Sequence, residues 1–144
     1  MEPDVKTVLD AYRQAVWDQD AAALLALYAD DVVVFDTWDV WSYPDRSAWR
    51  TSVEAWLGSL GDERVAVAAE EVRVVGGDGD TAGLSAVLTY TAKSPEGAKL
   101  RSMQNRLSWM LVRQGGGWRI AQEHTSVPIM PESLMGRLSR EPGA

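Results

Sequence analysis

Four side chains in this sequence could move a proton or steady a charge, and they lie far apart in the chain. Asp36 stands in "VVVFDTW". At the two-residue spacing of a strand its face-mates are Val34 and Trp38. A carboxylate between a β-branched side chain and an indole loses water, which raises its pKa toward that of a working general base. Arg106 stands in "NRLSWMLVR" and shares a face with Ser108, Met110 and Val112. Turned inward, it needs a carboxylate, and Asp36 or an acidic ligand would supply one. Asp36 is therefore either a free base or half of a fixed ion pair, or it simply accepts hydrogen bonds from backbone. His124, in "AQEHTSVPIM", is the only histidine and titrates near neutral pH. Its neighbour Glu123 points to the opposite strand face, so the two form no dyad. Strict alternation puts His124 on the face of Trp118, Ile120, Gln122 and Ser126. There it either works with Asp36 or Arg106 from other strands or makes a structural hydrogen bond. Tyr12 lies on an apolar helical stripe. Its hydroxyl ends at the edge of a core or reaches a pocket, where it would steady negative charge.

Aromatic residues crowd one region, "TWDVWSYPDRSAWRTSVEAW". Trp38, Trp41 and Tyr43 straddle a strand end and a loop, and are placed to line the mouth of a pocket for a flat apolar ligand. Trp49 and Trp56 stand at helical spacing and read as core, with Trp56 also counted among the ligand-binding candidates.

The composition removes other chemistries. The chain of 144 residues has no cysteine, which excludes thiol catalysis, thiolate metal sites and disulfides. One histidine and no carboxylate cluster at ligand spacing point to no metal. No phosphate loop or dinucleotide fingerprint is present, so no cofactor is expected. A formal net charge of −7 argues against a nucleic-acid or anionic-membrane partner. "MEPDVKTVLD" does not read as a signal peptide, no apolar run approaches a membrane span, and a cytoplasmic protein is expected.

The elements that must position these side chains follow from periodicity. Val5, Val8, Leu9, Tyr12 and Val16 mark a first helix capped by Asp4. "DAAALLALYA" reads as a second helix over 20–29, capped by Asp20. A strand runs from about Val32, and a third helix starts at Asp45 or Ser47. Residues 64–127 read as four long strands with tight turns, including a hairpin turn at "GGDGD" and a bulge at Glu70-Glu71. "PESLMGRLSR" reads as a short terminal helix and "EPGA" as a frayed end. The order predicts a single α+β domain over 1–144, three helices on one face of a curved antiparallel sheet, with a pocket inside.

This order, with "GGWRIAQEHTSVP", "VVVFDTWDVWSYPDRSAWRTSVEAW" and "NRLSWMLVR", resembles the NTF2-like (cystatin-like cone) superfamily, in particular its SnoaL-like and ketosteroid-isomerase-like proteins. The resemblance spans roughly Val5 to Pro128, and departs in the loop, where Val40-Trp41 and Asp45 replace a Pro-Pro and a helix-starting Gly. It implies a proton-abstracting role for Asp36, an oxyanion-stabilising role for Tyr12, and a site position for His124, with Ser126 beside it. It implies cofactor-free isomerase, dehydratase or cyclase chemistry on a small apolar molecule, or else ligand binding or dimerisation without chemistry. An apolar outer sheet face further predicts a homodimer.

Overall fold

The computed structural model describes residues 4–140, so the expected fraying of "EPGA" lies outside the described residues. Three helices and five strands follow in the order α1 (Val5–Asp18), α2 (Ala21–Leu25), β1 (Tyr28–Phe35), α3 (Arg46–Gly58), β2 (Arg64–Gly76), β3 (Thr81–Lys93), β4 (Lys99–Gln114) and β5 (Gly117–Ser126). Each helix starts on an aspartate whose side chain accepts from a backbone N–H of the first turn: Asp4 from Lys6, Asp20 from Ala23, Asp45 from Ala48. These caps satisfy donors that the helix cannot. The expected stripe of α1 is buried, Tyr12 included.

The strands form one sheet in the order β1-β5-β4-β3-β2. All neighbours are antiparallel except β1, which runs parallel to β5. The helices pack on the concave face, so the core lies between the two layers. The hairpin turn falls between Gly76 and Thr81, and the register of β2 slips between Glu70 and Arg73 with Glu71 at φ 54°. Both agree with the expectation.

Two expectations fail for tertiary reasons. The second helix stops at Leu25 and β1 begins at Tyr28, although "ALLALYA" favours helix. There the Leu27 carbonyl accepts from Ile120 N–H at 2.8 Å, and this pairing with β5 overrides local propensity. The expected terminal helix does not form. Residues 131–133 make one turn, in which Leu134 N–H bonds to Met130 C=O at 2.8 Å. Leu134 then adopts φ 61°, a left-handed conformation that ends any helix.

Candidate active site

Helices and concave sheet enclose a cavity of about 670 Å³. Its walls are largely apolar, with Leu24, Val53, Leu60 and Val65 among them. A space of this size and character suits a small organic molecule. The wall also carries polar side chains, Asp39, Arg101 and Asn105 among them, and three groups in it bear on chemistry.

The first is Asp36, which follows the last residue of β1 and lines the cavity. Its Oδ1 accepts from the Thr125 hydroxyl at 3.0 Å. Thr125 in turn accepts from Thr37 N–H and from the Thr37 hydroxyl, both at 2.9 Å. Burial raises the Asp36 pKa above the ordinary carboxylate value, while the Thr125 hydroxyl and the backbone N–H groups of Trp38 and Thr37 hold it down. No arginine takes part. The ion pair weighed from sequence, Asp36 with Arg106, is not formed.

Thr125 is thus a positioning residue for this carboxylate. Thr125→Val keeps the shape and removes the hydroxyl. The Asp36 pKa is expected to rise further, read as an upward shift of its carbon-13 carboxyl titration, and Thr125→Ser is expected to restore it. An unmoved titration in Thr125→Val would show that the bond does not stabilise the carboxylate.

The second group is Glu123, on β5 and only 2% exposed. The Tyr28 hydroxyl donates to its Oε1 at 2.6 Å and Trp109 Nε1 donates to the same oxygen at 2.9 Å. Burial pushes its carboxyl up to about 7, these two hydrogen bonds restrain it, and the charge of Asp36 adds to the rise. It lines the same cavity as Asp36. Sequence reasoning passed over Glu123 in favour of its neighbour His124, and the reason is a bulge. Leu111 pairs with Ile120 but Met110 pairs with Gln122, so β5 holds one extra residue, Ala121. One extra residue reverses every side chain beyond it. Trp118 and Ile120 face the core, and past the bulge Glu123 and Thr125 do so in place of Gln122 and His124. The short stretch "IAQE" carries no local mark of this slip.

The third group is a hydroxyl pair, Tyr12 on α1 and Tyr90 on β3, with oxygens 2.8 Å apart. Burial, then the neighbouring hydroxyl and carboxylate charges, raises the Tyr12 pKa. Burial also dominates the rise at Tyr90. Both stay protonated through neutral pH. Because one hydroxyl donates to the other, one proton of the pair remains to be offered elsewhere. Tyr12 was expected at an edge or a pocket and stands at this one. Tyr90 was not anticipated, since a tyrosine in an alternating strand carries no sign of which face is concave.

The remaining expected residues divide. Trp38 lines the rim, 52% exposed. Tyr43 is tied by paired backbone hydrogen bonds to Val34, and its hydroxyl donates to Ser52 at 3.4 Å on the cavity wall. Trp56 reaches the cavity and stacks edge-on to Tyr90, with ring centres 6.2 Å apart. Trp41 is 96% exposed and outside the cavity, because the loop that carries it projects into solvent. His124 lies on the outer face, edge-on to Phe35 at 5.7 Å. Arg106 lies there too and donates from Nε to Ser126 Oγ at 3.1 Å. His124, Arg106 and Ser126 are therefore separated from Asp36 by the sheet. Among the described residues no group of three or more His, Asp or Glu side chains is placed to hold a metal, and no described helix is long and apolar enough to cross a membrane.

Comparison with known proteins bears on this geometry. No curated protein matches the chain. Among solved structures, an NTF2-like protein of unknown function from Pseudomonas putida KT2440 is similar at a TM-score of 0.82 and 24% identity, over 96% of this chain and 94% of that one. A provisionally assigned aromatic ring hydroxylase from Novosphingobium aromaticivorans gives 0.67 and 19%, over 92% and 90%. A protein with a cystatin-like fold from Caulobacter vibrioides gives 0.70 and 15%, over 90% and 89%. At these identities the likeness is one of fold, and the fold is the α+β cone expected from sequence. Residues 5–130 match the SnoaL-like domain, nearly the whole described chain, and the protein belongs to that family.

Proposed function

We propose that this protein performs cofactor-free acid/base chemistry, of isomerase or lyase type, on a small, uncharged, largely apolar organic molecule held in the cavity. One observation carries the reading. Two carboxyl groups with raised pKa and a protonated tyrosine pair face the same apolar space. Environments that separate the titration of neighbouring carboxyls are how one site supplies both a base and an acid. In this reading Asp36 takes a proton from a carbon next to a carbonyl. The electron pair of the broken C–H bond moves onto the carbonyl oxygen, which accepts a hydrogen bond from the Tyr12–Tyr90 pair. The proton returns to a carbon from Asp36, or from Glu123, which is partly protonated near neutral pH; in the second case Asp36 then gives its proton to solvent and Glu123 regains one from it. The wall carries Asp36, Asp39 and Glu123 against one cation, Arg101, which is paired with Glu63, and this balance disfavours an anionic substrate.

The test is deuterium uptake by a neutral bicyclic ketone, β-tetralone, in heavy water, followed by proton NMR. Exchange about 100-fold above buffer supports the reading. Saturable binding of the ketone without accelerated exchange supports the second reading, ligand binding without turnover. That reading is favoured by the closed hydrogen bonding of Glu123 Oε1 to Tyr28 and Trp109. The outer sheet face, where Met110 is 60% and Phe35 36% exposed, supports pairing of two copies there.

A further inference from the structure

Part of the cavity lining, Arg101, Ser102 and Met103, lies on the stretch of β4 where the sheet is incomplete. β5 ends at Ser126, opposite Arg106, while β4 continues back to Lys99 with only β3 beside it. Pro128 stands where β5 would have met the next residues of β4. Proline has no N–H to offer a strand ladder, so the chain leaves the sheet. It then returns. Residues 129–136 fold into a small hairpin, closed by the Ile129–Gly136 bridge and by Arg137 N–H on Pro128 C=O at 2.8 Å. A Cβ at Gly136 would stand 2.9 Å from Val127 Cγ2, so a larger residue there would force Val127 or the chain to shift. The returning chain brings Leu138 to the vacated edge. Its carbonyl accepts from Gln104 N–H at 2.7 Å, and its residue joins Trp38, Arg101 and Met103 in lining the cavity.

Beyond Leu138 the segment is latched. Arg140 N–H donates to Gln104 Oε1 at 2.8 Å. The Arg140 guanidinium bonds Glu71 Oε2 at 2.8 Å and Glu70 Oε2 at 3.2 Å. Both acids sit at the β2 bulge, where Glu71 takes a left-handed conformation. A bulge re-aims side chains, and here it turns two consecutive carboxylates to one cation. The three side chains are 47–66% exposed, so the pairs are screened and weak. The last stretch of cavity wall is thus a returning chain fastened to the sheet at Gln104 and, through exposed ion pairs, at Glu70 and Glu71.

We infer that residues 128–140 form a strap across the cavity mouth, and that ligand passes when Arg140 releases Glu70 and Glu71. The inference requires only that the cavity admits a ligand, not that it performs chemistry. It is tested by stopped-flow fluorescence with the neutral apolar dye N-phenyl-α-naphthylamine. In Arg140→Glu, association and dissociation rate constants are both expected to rise about ten-fold, with Kd held within about two-fold. The triple variant Glu70→Arg, Glu71→Arg, Arg140→Glu reverses both signs and is expected to slow the dye again. Raising salt from about 0.05 M to about 1 M is expected to speed the wild type and leave the uncharged variant Arg140→Gln unchanged. Unaltered rates in Arg140→Glu, or a triple variant as fast as the single one, would overturn the strap. So would a weakened Kd at an unchanged association rate, which would make Arg140 a holding group, and so would an absence of dye binding.

Discussion

Asp36→Asn is expected to slow deuterium exchange into β-tetralone by about 10²–10⁴-fold, the range a positioned general base supplies. The substitution is close to isosteric. Thr125 can still donate to the amide oxygen as it does to Asp36 Oδ1, and the walls around it do not change. Affinity for a neutral dye is therefore expected to stay within about two-fold, which separates loss of a base from loss of a pocket. The pH dependence carries a sign. Burial raises the Asp36 pKa, so the basic form is lost on acidification sooner than for an ordinary aspartate. Wild-type exchange should fall as pH drops through that raised value, and Asp36→Asn should show no such limb. Exchange in Asp36→Asn at the wild-type rate, with binding intact, would remove Asp36 from the chemistry.

What could be read from sequence was what is decided locally. The stripe of α1, the aspartate caps and the Glu70-Glu71 bulge each follow from a few adjacent residues, and each is present. Asp36 stood out because Val34 and Trp38 are its near neighbours in sequence, although β1 ends at Phe35 and Trp38 stands in the loop beyond. Glu123 did not, because its face depends on Ala121 being the unpaired residue in β5. That slip is set by how β4 and β1 pair with β5, not by the stretch itself. Simple alternation therefore chose His124, one position away and on the wrong side of the sheet. Tyr90 was hidden for a related reason. The meander reveals that β3 alternates, but not which of its faces is concave. The parallel pairing of β1 to β5, and the return of the chain to Gln104, are likewise contacts between distant residues.

Glu123→Gln is expected to stabilise the protein at about pH 8 by an amount on the order of 3 kcal/mol, and to change it little at about pH 5. The folded protein holds the Glu123 proton up to about pH 7, where the ordinary value is 4.5. In that interval the folded state binds a proton that the unfolded state has lost. Stability conferred by this group is thus highest at and below the lower value and falls as pH rises to the upper one, after which the loss is complete. A glutamine carries no charge to desolvate and still accepts from Tyr28 and Trp109, so the fall should be largely removed. Asp36, also raised, should leave a smaller slope of the same sign in the variant. Urea unfolding across this pH range measures the difference, which in melting temperature amounts to about 6–12 °C for a chain of this size. A Glu123→Gln profile parallel to the wild type would show that another group titrates. If the profiles instead converge at low pH and separate at high pH, the wild type bears a carboxyl that weakens its fold under neutral conditions although an amide of the same shape would not. A stability cost confined to one ionisable group on a ligand-sized cavity is the pattern expected where a site is kept for what it does rather than for what it holds together. That result would support Glu123, beside Asp36, as part of the proposed chemistry.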